Sequence, residues 1–104
     1  MVNDPVTIML EKLMLGLKLA GRDRKKLKYL FRNLRTEIRK QALTQKAEWK
    51  QEYYLYLVET FRLALEPAID LAVRSEEFEW AAMLKKQSDL IGQPDEHARK
   101  LVEK

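Results

Sequence analysis

The chain has 104 residues, with 20 Lys and Arg against 16 Asp and Glu, one His and no Cys. Three Gly and three Pro are too few to turn a β-sandwich or barrel of this size. The missing Cys excludes disulfides, thiolate catalysis and any Cys-held zinc or iron–sulfur centre.

The first element opens at Asn3-Asp4-Pro5, a side-chain acceptor followed by the residue that tolerates the first helical position. From Val6 to Ala20 apolar residues cover most of a helix circumference, which predicts a helix central to a core or buried in an oligomer interface. Glu11, Lys12 and Lys18 interrupt this stretch short of the ~18 residues of a membrane span. It has no basic leader, so it does not read as a secretory signal. Gly21 ends the element, giving 1–21 as an apolar N-terminal helix.

Asp23 can cap the second helix. Leu27, Leu30, Phe31, Leu34, Ile38 and Ala42 recur at three- and four-residue steps, one apolar stripe. Around it stand Arg22, Arg24, Lys25, Lys26, Lys28, Arg32, Arg35, Arg39 and Lys40, which makes 22–43 a basic amphipathic helix. The stripe blurs at Leu43-Thr44-Gln45-Lys46, where a turn or bend is expected, with Thr44 able to cap a new helix there.

An aromatic-rich helix, 44–66, carries Trp49, Tyr53, Tyr54, Tyr56 and Phe61. Pro67 removes a backbone donor and crowds the preceding turn, so the helix should kink near Leu63 or a new one should start at the proline. Ser75 reads as the next cap, with Glu76 and Glu77 at the positive end of a helix dipole. The pattern runs on to Ile91, Gly92 terminates it, and 93–104 reads as a short terminal helix after Pro94. The expectation is one all-α domain: a small bundle of four or five helices with a C-terminal helical hairpin over 67–91.

Charge is unevenly placed. Residues 1–52 hold 13 Lys and Arg against 6 Asp and Glu, a balance of +7; residues 53–104 hold 7 against 10, a balance of −3. The basic end can attract an anionic partner, and the two halves can attract each other within a chain or across a dimer.

Leu65-Glu66-Pro67-Ala68-Ile69-Asp70-Leu71-Ala72-Val73-Arg74 leads through Ser75-Glu76-Glu77 to Phe78-Glu79-Trp80-Ala81-Ala82-Met83-Leu84. This stretch resembles the UVR motif, a helical hairpin at the end of the excision-repair proteins UvrB and UvrC and in adaptor and regulator proteins of Clp ATPases. Phe78, Glu79, Ala81 and Ala82 fit the opening of the motif's second helix, and Leu65, Ala68, Ile69, Ala72 and Val73 fit its first. Lys85-Lys86, Ser88 and Pro67 depart from its usual pattern, and the resemblance covers about a quarter of the chain and says nothing about residues 1–60. The resemblance implies docking onto another protein's hairpin through Phe78, Glu79, Trp80, Ala81 and Ala82, and no catalysis.

The residues themselves carry little chemistry. Catalytic triads, phosphate-cradling Gly loops and metalloprotease helices are missing from the sequence. His97 is the lone imidazole, in a polar segment. Glu66 and Asp70 share a helix face and Glu76, Glu77 and Glu79 cluster, but dipole compensation and solvation account for them without a metal or acid–base role. The first expectation is therefore a cytoplasmic, non-enzymatic helical adaptor or regulator without cofactor or metal. It would dock a protein partner and act as a homodimer. The alternative is a nucleic-acid-binding protein whose Arg22, Arg24, Lys25, Lys28, Arg32, Arg35, Arg39 and Lys40 neutralise phosphates, with the aromatics from Trp49 to Tyr56 stacking on bases. Aromatics at this spacing also suit a packed stripe, and binding of the basic helix to a membrane surface would expose an apolar face that a fold would keep inside.

Overall fold

The computed structural model describes residues 4–92. Four α-helices follow one another: α1 (Pro5–Ala20), α2 (Arg24–Leu43), α3 (Lys50–Arg74) and α4 (Phe78–Gly92), with a 3₁₀ turn at Ala47–Trp49 before α3. The protein is an all-α bundle. The terminal helix expected over 93–104, with His97, lies outside the described residues.

The caps read from sequence hold at the first two helices. Asp4 accepts the Val6 N–H at 3.1 Å and Pro5 stands at the first helical position, while Asp23 accepts the Lys26 N–H at 3.1 Å. Each carboxylate satisfies a backbone donor that the helix leaves without a partner. Thr44 belongs to the helix it ends: its hydroxyl donates to the Gln41 carbonyl at 2.6 Å and closes α2.

Three expectations are corrected. Pro67 does not start a new helix: it lies inside α3, which runs from Lys50 to Arg74. Pro67 and Leu63, whose carbonyl loses its donor, are both exposed residues. The first arm of the C-terminal hairpin is thus the end of a 25-residue helix. Ser75 is the C-cap of α3, not the cap of α4; its N–H donates to the Leu71 carbonyl at 2.9 Å. Finally, of the two places expected for α1, a core centre or an oligomer interface, the first does not hold. It lies at the edge of the bundle, packed chiefly on α2.

One contiguous core joins all four helices. Val6, Met9 and Leu13 come from α1, and Leu27, Phe31, Leu34 and Ile38 from α2; α3 adds Leu57, Val58, Phe61, Leu65 and Ala72, and α4 adds Trp80, Ala81, Leu84 and Ile91. The largest interface is between α3 and α4, with α2 bridging that pair to α1. Where α1 and α2 approach, Leu30 packs into the space over Gly16, and a β-carbon there would push Cδ1 of Leu30 aside. The result is a slab, 44 × 36 × 21 Å. Such a slab is about two helix diameters thick, so every helix keeps one face toward solvent.

Candidate docking and anion-binding surfaces

Two three-residue turns lie side by side at one end of the slab. Between α3 and α4, the Glu76 N–H donates to the Val73 carbonyl at 3.0 Å and the Glu77 N–H to the Ala72 carbonyl at 2.8 Å. This pair of crossed bonds is a Schellman closure, with Glu76 in the left-handed region at φ 59°. The closure leaves the Glu77 side chain pointing across to the α1–α2 turn. There Nε and Nη2 of Arg22 donate to its two carboxylate oxygens at 2.8 and 2.7 Å. The guanidinium carbon of Arg22 also stands 4.8 Å from the Trp80 ring centroid, a cation–π distance.

This clamp shifts both charged groups. The hydrogen bond from Arg22 holds the Glu77 carboxyl below its ordinary value, and the same bond raises the Arg22 guanidinium. It also joins the basic half of the chain to the acidic half, as does Arg35, whose Nη1 donates to Oε1 of the buried Gln87 at 3.4 Å.

The clamp borders the residues singled out for docking, and these divide. Trp80 and Ala81 are buried and belong to the protein's own core. Phe78, Glu79 and Ala82 face outward, and Phe78 keeps 62% of its surface exposed. Phe78 therefore does not fill space inside the hairpin. Phe78 and half-buried Met83 line a shallow depression with Arg22, Glu76, Glu77 and Glu79, and a neighbouring one runs past Ala82 between Arg24 and Lys86.

The basic residues divide as well. Arg24, Lys25, Lys28 and Arg32 are exposed on α2 and pair with no carboxylate among the described residues. Arg22 is committed to Glu77, Lys40 lies 3.7 Å from Glu37, and Arg35 and Arg39 are partly buried with partners of their own. In the middle of the exposed four stands Tyr29, 68% exposed, which sequence reasoning passed over. Its signal was legible: Tyr29 falls off the Leu27–Phe31–Leu34 stripe, on the opposite side of the helix.

The aromatics before and within α3 do not form one packed stripe. Trp49 and Tyr56 are exposed, while Tyr53 and Tyr54 are half-buried. The Tyr53 and Tyr56 rings lie 6.0 Å apart and tilted by 37°. Burial, then the Asp4 carboxylate, then Tyr56 push the Tyr53 phenol above its ordinary value.

The carboxylates form no metal centre: no group of three or more His, Cys, Asp and Glu among the described residues could hold an ion. Asp70 pairs instead with Arg74 at 3.1 Å. No described helix is long and apolar enough to cross a membrane. Against known proteins, no family model, no curated protein and no solved structure matches this chain.

Proposed function

We propose that this chain is a non-enzymatic helical adaptor or regulator of the cytoplasm, docking a protein partner through the outward face of the α4 N-terminus and working as a homodimer. The observation that carries the docking surface is the exposure of Phe78 on a hairpin whose core is already filled by Trp80, Ala81 and Leu84. A large aromatic left open beside Met83 and Ala82, rimmed by Glu79, Arg24 and Lys86, has the apolar centre and polar border of a docking patch. The likeness of this stretch to UVR hairpins supports the same reading. The test is affinity capture from the native host with wild-type chain and with the double variant Phe78→Ala, Ala82→Arg. Both changes are on the surface and should leave the helical circular dichroism unchanged. The variant should lose the wild-type partners, and recovery of the same partners would overturn the reading.

A second reading rests on Arg24, Lys25, Lys28 and Arg32 grouped around exposed Tyr29. Cations of this kind neutralise phosphates, and an open aromatic among them can stack on an unpaired base. It predicts binding to single-stranded nucleic acid that weakens steeply with salt and is lost on changing Lys25, Lys28 and Arg32 together to Glu. No affinity at low salt ends that reading.

A further inference from the structure

The outward face of α1 is covered by nothing in the described residues. Leu15 and Leu19 lie on it, 57% and 69% exposed, with Ile8 one face-repeat before Leu15. These three are apolar, yet α1 already has a full packing face toward α2. Lys12 completes the 4-3-4 spacing of Ile8, Lys12, Leu15 and Leu19, the spacing with which one helix seats against another. Glu11 and Lys18 are seven residues apart, so they lie along the same edge of this stripe. Both are exposed, and neither has an ion pair among the described residues.

We infer that the occupant of this face is a second copy of the chain, with the two α1 helices antiparallel about a two-fold axis beside Leu15. In an antiparallel pair, residues on one edge of the stripe meet residues on the same edge of the other helix. Glu11 then meets the partner's Lys18 and Lys18 meets the partner's Glu11, two reciprocal ion pairs from one symmetry operation. Leu15 meets its own copy at the axis, and Leu19 lies beside the Lys12 stem and Ile8 of the other helix. A parallel pair would bring two basic α2 starts, Arg24 to Lys28, together at one end; the antiparallel pair sets them at opposite ends. The inference rests on the homodimer part of the function proposed above, and not on the Phe78 surface.

Light scattering after size exclusion tests it on the full chain. Wild type should run with the mass of two chains, and Leu15→Arg with the mass of one, with helical circular dichroism unchanged because residue 15 is exposed. Glu11→Lys alone and Lys18→Glu alone should each weaken the dimer at least tenfold, and the double exchange should restore it. Since the chain has no Cys, mixed Glu11→Cys and Lys18→Cys chains should form 11–18 disulfides well beyond the half share of random pairing. A wild-type monomer, a dimer indifferent to Leu15→Arg, or an excess of 11–11 links overturns the inference. Partner capture by Leu15→Arg is read separately: it keeps Phe78 intact, so retained capture with a lost dimer leaves the docking surface standing alone.

Discussion

The chain is two helical hairpins that solve the same problem differently. Each joins its helices by three residues, 21–23 in one and 75–77 in the other, and each turn holds one residue at positive φ. In the first hairpin that residue is Gly21, which has no side chain to strain; in the second it is Glu76. The packing differs in the opposite sense. The second hairpin has the largest helix–helix interface in the molecule, whereas the first closes through the Gly16–Leu30 notch and leaves the far side of α1 apolar and open. Tight contact between α3 and α4 tolerates an ill-suited turn residue, and the looser hairpin has the turn residue best suited to its shape.

This contrast can be broken at four points, in falling order of effect. Phe61 is wholly buried where α3 meets the common core, so Phe61→Ala should cost ~3–5 kcal/mol in urea unfolding, enough to threaten a domain this small. Loss of helical signal from both hairpins together would show that they share one core. Gly21 has φ 58° and ψ −114°, a region L side chains rarely enter, and Gly21→Ala should cost ~1–3 kcal/mol although the space beside it is empty. Glu76→Gly should do the reverse and stabilise by about 0.5–1 kcal/mol, seen as a higher midpoint with an unchanged slope. A loss of stability there would mean that the Glu76 side chain has a role its backbone strain conceals.

The smallest effect is electrostatic. Glu77 titrates lower in the folded chain than in the unfolded one, so its contribution is complete above the ordinary glutamate value of 4.5 and is lost as pH falls through the lowered native value. Glu77→Gln should flatten that part of the acid profile, and added salt should shrink the difference, since the pair with Arg22 is exposed.

Local signals read correctly wherever one helix decides the outcome. Of the stripe Leu27, Leu30, Phe31, Leu34, Ile38 and Ala42 all but half-buried Leu30 are buried, and the Asp4 and Asp23 caps stand where the side chains suggest. Readings failed where a turn sets the rotation of the next helix. Each residue advances a helix by about 100°, so the three-residue closure after Arg74 determines that Trp80 points inward and Phe78 outward. Both are large aromatics, and nothing in their identity distinguishes them. At Pro67 the sequence offered a kink or a new start, and the helix runs through the proline, which lies on an exposed face. Tyr29 needed only its angle around α2, whereas Trp49 and Tyr56 shared a spacing that also suits a packed stripe.

Gly16 has a consequence beyond the closeness of two helices. Leu30 occupies the place a side chain at residue 16 would take, and together with the buried Val6, Met9 and Leu13 this sets how α1 lies on α2. Turning α1 by a single residue would carry Val6, Met9 and Leu13 out of the core and set Leu15 or Leu17 against Leu30, which would have to swing aside. The side of α1 that looks outward is therefore fixed by the residues that face inward, Val6, Met9 and Leu13 with Gly16 among them. Any surface built from Ile8, Leu15 and Leu19 takes its aim from that hidden packing.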